Sequence, residues 1–290
     1  MTFSPSLFEK RFFDKRTFYL KRDDLLDAQF SGNKARKFYY FLRHDFPHIK
    51  RVVSYGSNQS NAMYSLSVLA QIKGWEFIYF CDHIPSFLKE NPIGNFKYAL
   101  QNGMKIVESK ERYLDSLSCV DVATLHVEEG GRQREAEMGI KMLADELLFD
   151  VKTHNIQNPY VFLPSGTGTT ALFLQKHLPF KVFTCSCVGD EFYLQKQWEM
   201  ITPSQAFLPI ILSGKKKYHY GKLYNESFGI WQRLKVEMGV EFDLMYDPVG
   251  WNVFLENIDM LKGTPIYIHQ GGLLGNDSMI ERYLRKANML

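Results

Sequence analysis

Cysteine is scarce in this chain. The 290 residues hold four, Cys81, Cys119, Cys185 and Cys187, with no CxxC and no His/Cys ligand spacing, which argues against a zinc site or a disulfide framework. Long apolar runs are missing too. Nothing approaches the length that spans a bilayer, and residues 1–10 lack a basic region leading into an uninterrupted apolar stretch, so a cytoplasmic protein is expected. Charge of one sign is also small: the net charge is +3, and it is dispersed. That predicts neither nucleic acid nor a membrane as partner, and it leaves room for an anionic small ligand. There is no internal repeat and no low-complexity linker. What remains, 45% hydrophobic and 23% charged, is an ordinary globular chain, long enough for one large domain or two modest ones.

The apolar pattern alternates between two periods along the chain. Residues 49–55 read as a strand, and Gly56-Ser57-Asn58-Gln59-Ser60-Asn61 turns it into a helix with Ala62, Leu66, Leu69 and Ala70 inward. Gly74 ends that helix and 77–80 is the next strand, completing one βαβ unit. The pattern recurs with a helix over 92–101, a stop at Asn102-Gly103, strands over 104–107 and 123–127, and a long helix over 134–149. The second half predicts a strand over 160–163, a helix over 169–178 and a strand over 180–185, with Cys185 and Cys187 on one strand face. Helices near 191–200, 225–238 and 253–262 precede a strand over 265–268 and a closing helix. Such alternation implies the α/β class, with mostly parallel sheets flanked by helices in two lobes.

Three loops and one lysine carry the chemistry. Ala35, Phe38, Tyr39 and Leu42 fall at i, i+3, i+4 and i+7, so a helix begins near Lys34, with Ser31-Gly32-Asn33 as its capping and turn residues. At that helix mouth, beside other cations, a lysine has a lowered pKa and favours the neutral amine that forms Schiff bases. The alternative is that Lys34, Arg36 and Lys37 form one solvated basic face. Ser165-Gly166-Thr167-Gly168-Thr169-Thr170 follows a strand and opens a helix, a place for a phosphate dianion. The same loop satisfies Gly-x-Gly-x-x-Ala through Gly166, Gly168 and Ala171, with Asp190 and Glu191 about 20 residues on, so a nicotinamide dinucleotide is a rival. That rival requires the fingerprint to follow the first strand of its lobe. Residues 56–61 suit a carboxylate, or are a polar N-cap. His269-Gln270-Gly271-Gly272 lets backbone come close to a ligand, although a lone loop histidine is as readily structural.

Lys21-Arg22-Asp23-Asp24-Leu25 followed by Gly32-Asn33-Lys34-Ala35-Arg36-Lys37 resembles a segment of the aminocyclopropane-carboxylate deaminase and D-cysteine desulfhydrase family. That family belongs to the tryptophan-synthase-β-like, fold type II pyridoxal-phosphate enzymes. The resemblance continues in family order through residues 56–61, Gly94-Asn95-Phe96, Glu129-Gly130-Gly131, residues 165–170 and residues 269–272, from about residue 7 to the end. It implies pyridoxal 5'-phosphate in a cleft between a larger lobe (1–37 and 141–290) and a smaller one (38–140), a small amino acid as substrate, and a homodimer. By position it makes Lys34 the lysine that bonds the cofactor and moves protons. Asn61 meets the cofactor's phenolic oxygen, and Ser165, Gly166, Thr167, Gly168, Thr169 and Thr170 hold its phosphate. Asn58, Gln59, Ser60, His269 and Gln270 face substrate, and Ser60 and Tyr220 join Lys34 in catalysis.

Two segments depart from the family. Asp247-Pro248-Val249-Gly250-Trp251-Asn252 stands where the family has Asp-Pro-Val-Tyr-x-Gly, so Gly250 replaces the tyrosine over the ring. Trp251 replaces the residue facing the pyridine nitrogen, with an indole N–H to offer. Tyr246 is a distant substitute for the missing ring partner, and both it and Tyr220 read more readily as ordinary packed aromatics. Gln270 stands where the family has Leu or Thr, so neither specificity pair is present. The implied activity is D-cysteine desulfhydrase-like elimination to keto acid, ammonia and sulfide, with aminocyclopropane-carboxylate deamination as the alternative. An NAD(P)-dependent oxidoreductase and a catalytically inert pyridoxal-phosphate-binding protein are the alternatives of another class.

Overall fold

The computed structural model describes residues 3–202 and 206–287. A hairpin comes first: β1 (Leu7–Phe13) and β2 (Arg16–Arg22) pair antiparallel across Asp14 and Lys15, both at positive φ. Positive φ at both turn residues matches the twist of the flanking strands. After a 3-10 turn at Asp23–Leu25 come α1 (Gly32–Arg43), β3 (Arg51–Tyr55), α2 (Asn61–Lys73), β4 (Glu76–Cys81), α3 (Ser86–Glu90) and α4 (Gly94–Gln101). Then follow β5 (Met104–Glu108), α5 (Arg112–Ser118), β6 (Thr124–Val127), α6 (Ala136–Thr153), β7 (Pro159–Ser165), α7 (Thr169–His177), β8 (Val182–Ser186) and α8 (Glu191–Glu199). The last elements are β9 (Ile210–Ile211), α9 (Asn225–Met238), α10 (Asp247–Asn257), β10 (Thr264–His269) and α11 (Gly275–Lys286).

These strands form two sheets. One has six strands in the order β1-β2-β10-β7-β8-β9, parallel except for the opening hairpin; the other has four, β5-β4-β3-β6, all parallel. Their central strands are apolar on both faces because helices cover both. In the six-stranded sheet Phe18, Leu20, Phe162 and Tyr267 point into one core under α9 and α10, while Val161, Leu163, Ile266 and Ile268 point into another under α6 and α7. Side chains alternate between faces with a period of two, so one strand feeds two cores.

Three expectations change at this level. The helix placed over 253–262 begins at Asp247 and ends at Asn257, with Pro248 in its first turn, where a fixed φ and a missing N–H cost nothing. Trp251 therefore sits inside α10 and faces the core, stacked on Tyr267 at 4.3 Å, and its indole N–H has no partner among the described residues. It does not reach the cavity described below. Nor do the cations of α1 form a solvated face: Arg36 is fully buried and Lys37 nearly so. The four cysteines are free thiols, and Cys185 and Cys187 share the core beneath α10. No helix among the described residues is long and apolar enough to cross a membrane.

Candidate active site

A cavity of about 450 Å³ opens where the C-terminal ends of β3, β7, β8 and β10 converge, the usual place for a ligand in parallel α/β sheets. Lys34 enters it from the first turn of α1. Gly32 has φ of +68°, and a Cβ there would lie 2.2 Å from the Gln270 carbonyl oxygen. Glycine thus lets α1 start against the loop after β10, where the Asn33 N–H donates to that same oxygen at 2.9 Å. The Ser31 hydroxyl does not cap the helix; it donates to the carbonyls of Asp23 and Asp24 instead.

Lys34 Nζ donates to the Gly130 carbonyl at 3.2 Å, and Lys37 Nζ, one turn further along α1, donates to the same oxygen at 3.0 Å. Burial pushes the Lys34 amine down to about 8, against the pull of Lys37, Glu129 and Asp243. Burial and then the Lys34 charge push Lys37 well below the ordinary lysine value. The sequence predicts this lowering from the helix dipole and neighbouring cations, whereas in the structure Lys37 acts in the opposite direction. Burial is the larger cause, because two ammonium groups facing one carbonyl cannot both be solvated.

Across the cavity lies the turn from β7 into α7, and all of Ser165, Gly166, Thr167, Gly168, Thr169 and Thr170 line it. No side chain caps α7, so its first N–H groups are open to an anion. The Thr167 and Thr169 hydroxyls lie 3.0 Å apart, Ser165 Oγ accepts from Thr184 at 2.7 Å, and the buried Thr170 hydroxyl has no partner among the described residues. Gly168 has φ of +70°, and a Cβ there would sit 2.3 Å from Nε1 of the buried Trp198, which donates to the Gly168 carbonyl at 3.0 Å. Gly168→Ala is expected to cost about 2–3 kcal/mol from backbone strain and overpacking together, read as a lower urea midpoint at unchanged slope.

The remaining walls are polar. Asn61 opens α2, accepts from Asn95 Nδ2 at 2.6 Å and donates to the carboxylate of Asp243. Asp243 Oδ1 also takes the N–H groups of Met245 (2.8 Å) and Tyr246 (2.6 Å), and burial lifts its pKa to about 6 against these donors. Asp247 accepts the Tyr267 hydroxyl at 2.6 Å, and burial drives it well above the carboxylate range. The Tyr220 and Tyr246 hydroxyls meet at 3.2 Å.

Not every residue singled out in the sequence reaches this cavity. Ser60 lines it while capping α2, its Oγ accepting from the Ala62 and Met63 N–H groups. Gln270 lines it too, with Nε2 donating to the Pro164 carbonyl and Oε1 accepting from Asn33. Asn58 and Gln59 turn away, donating to the carbonyls of His83 and Ile93. His269 is wholly buried outside the lining, its Nε2–H donating to the Glu241 carbonyl at 2.7 Å and its Nδ1 accepting from the Gly271 N–H. Conversely, Lys37, Arg112, Glu129, Tyr193, Asp243 and Asp247 line the cavity without having been singled out. Lys37, at i+3 from Lys34, and Glu129 and Asp247, in the family-like segments 129–131 and 247–252, carried a signal; Arg112, Tyr193 and Asp243 did not. The dinucleotide rival loses its context: β7 lies inside the six-stranded sheet, preceded in its lobe by β1 and β2, and Asp190 caps α8, its Oδ1 accepting from the Tyr193 N–H.

No protein-family profile and no curated protein sequence matches the chain. Solved structures do match its fold. A crystal structure of an ACC deaminase homologue aligns with a TM-score of 0.77 at 19% identity, covering 93% of this chain and 88% of that one. A pyridoxal 5'-phosphate-dependent aspartate racemase aligns at 0.64 and 13% identity, covering 93% and 91%. A hydrogen sulfide-producing enzyme from Fusobacterium nucleatum aligns at 0.61 and 13% identity, covering 93% and 96%. At these identities the likeness establishes the fold, tryptophan-synthase-β-like and fold type II, and function has to be argued from the site.

Proposed function

We propose that this chain is a pyridoxal 5'-phosphate-dependent lyase or deaminase acting on a small amino acid, with desulfhydrase-like elimination favoured over opening of a cyclopropane ring. One observation carries the reading: a buried lysine amine with a lowered pKa faces, across one cavity, an uncapped helix N-terminus rich in hydroxyls. The residues fit the cofactor. The partnerless Thr170 hydroxyl and the close-set backbone at Gly166 and Gly168 suit a phosphate, and Lys34 suits an aldehyde. Bound there, pyridoxal phosphate supplies an electron sink that acidifies the Cα–H bond of an amino acid.

The chain's own groups do the rest. Lys34 would hold the cofactor and would serve as the base that takes the substrate Cα proton and returns one. Asn61, held between Asn95 and Asp243, orients the ring edge. Ser57 and Ser60, at the start of α2, receive the substrate carboxylate, and the Tyr220 hydroxyl stands at the mouth as a proton donor. The homodimer, the cytoplasmic setting and the lobe limits at 38 and 140 belong to the same proposal.

The test begins with ligand-induced stabilisation. Pyridoxal phosphate at a hundred times its Kd is expected to add about 2.7 kcal/mol to stability and to develop visible absorbance, while NAD and NADP do neither. Stabilisation by a nicotinamide dinucleotide alone overturns the reading. Turnover of any D- or L-amino acid to ammonia and keto acid then separates an enzyme from an inert binder.

A further inference from the structure

The outer wall of the cavity carries charge that the chemistry above leaves unused. Glu129, in the 3-10 turn after β6, lines the cavity one residue before the carbonyl that holds Lys34. Its carboxylate has one long contact, Arg112 Nη2 at 3.5 Å. Arg112 is drawn the other way, its Nη1 lying 2.7 Å from Asp82. Next along, Arg132 is engaged by Glu128 at 2.7 Å, and Glu128 also accepts the Tyr55 hydroxyl.

The charged groups that act most strongly on Glu129 are Arg112, Arg132, Asp82 and Glu128. Counting Glu129 itself, three carboxylates stand against two guanidiniums on this wall, so one negative charge is left over once Lys34, which also feels Glu129, is engaged by the cofactor. Arg112 pairs more closely with Asp82 than with Glu129, so the surplus falls on Glu129, which lines the cavity and keeps 38% of its side chain exposed.

From this we infer that Glu129 reads an ammonium group on the substrate side chain, and that the preferred substrate class is a diamino acid. The inference rests on the pyridoxal-phosphate reading and sharpens it. A carboxylate with a single long partner gains a charge-assisted hydrogen bond from an ammonium, whereas a neutral thiol gains little and a second carboxylate is repelled. For 2,3-diaminopropionate the chemistry balances without an oxidant. Lys34 takes the Cα proton, the Cβ–N bond breaks with its electron pair leaving on nitrogen, and the side-chain amine departs as ammonia. Water then releases the remaining carbons as pyruvate and the α-nitrogen as a second ammonia.

The experiment uses the full chain loaded with pyridoxal phosphate and both enantiomers of 2,3-diaminopropionate, cysteine and aspartate. Affinity is read from the change in visible absorbance and kcat/KM from keto acid release. The better diaminopropionate enantiomer is expected to exceed cysteine by about 10- to 100-fold in both. Glu129→Gln is expected to erase most of that ratio. Asp82→Asn, on the exposed side of Arg112, is expected to lower it as well, since Arg112 is then free to neutralise Glu129. Preference for cysteine or aspartate overturns the inference, as does a diamino preference that survives both substitutions. Visible absorbance with turnover of cysteine alone sinks only this inference; no absorbance with pyridoxal phosphate sinks the reading beneath it too.

Discussion

Lys34→Ala is expected to leave a folded chain that forms no visible adduct with pyridoxal phosphate and turns over amino acids at least about a thousandfold more slowly. The fold tolerates the loss because the amine makes one hydrogen bond, to a carbonyl that Lys37 already serves. That sharing also supplies the control. If Lys34→Ala keeps a borohydride-reducible chromophore that disappears only when Lys37 is also replaced, Lys37 is the reactive amine and the assignment is wrong.

The pH dependence follows from the same burial. The amine attacks an aldehyde only when neutral, so adduct formation is expected to rise about tenfold per unit up to pH 8 and to level off above it. Stability moves in the same direction. The folded value lies below that of the unfolded lysine, so the unfolded chain binds more protons between about pH 8 and 10.5. The burial penalty is therefore full below pH 8 and fades as pH rises through that window. In Lys34→Ala the adduct trend vanishes, and the stability trend keeps only the part that buried Lys37 contributes.

How much of this was legible beforehand depends on where periodicity reaches. β7 and α7 lie within a residue or two of their expected limits because an apolar strand and a 3.6-residue repeat are local patterns. The opening hairpin was not, since edge strand β1 exposes Leu7 and Phe12 and half-buries Glu9 and Arg11, which breaks the inside-outside alternation, and its Asp14-Lys15 turn lacks glycine. The start of α10 was hidden because Asp247-Pro248 reads as a motif in a loop and acts as a helix first turn. Site residues divide the same way. Residues 165–170 converge on the cavity because backbone N–H groups at a helix start point one way whatever the side chains do. Asn58 and Gln59, in an irregular turn, have no period to aim them, and they bond to neighbouring carbonyls. Glu129 and Arg112 meet from segments 17 residues apart, and Asp243 and Asp247 share a turn whose direction is set by the core beneath α10. Contacts of that kind are made by tertiary packing.

The largest loss of stability is expected at Arg36, a residue that composition alone would have put in solvent. Its guanidinium is fully buried and holds Asp23 at 2.9 Å and Glu146 at 2.6 Å, and Lys21 joins the cluster through Glu146 (2.9 Å) and Asp150 (2.8 Å). The cluster ties the end of β2 to α1 and α6, the helix that α1 packs against. Burial works against the Arg36 charge, but Asp23 and Glu146 more than offset it and raise its pKa; burial also opposes the Glu146 charge, but Arg36 and Lys21 more than offset that and hold its pKa below the usual carboxylate range.

Arg36→Met removes the cation and leaves Asp23 buried beside one hydroxyl, that of Ser6 at 2.7 Å, so a cost of about 3–5 kcal/mol is expected. Such a shift in urea midpoint distinguishes it from an exposed ion pair, which costs about 1 kcal/mol or less. Asp23→Asn in the Arg36→Met background is expected to recover part of the loss by removing the stranded charge, which pure loss of packing does not allow. Because α1 carries Lys34 two residues earlier, any folded Arg36→Met chain is also expected to bind pyridoxal phosphate more weakly. A cost below 1 kcal/mol, or no recovery in the double variant, means that the cluster is a consequence of the packing between α1 and α6 and does not hold it.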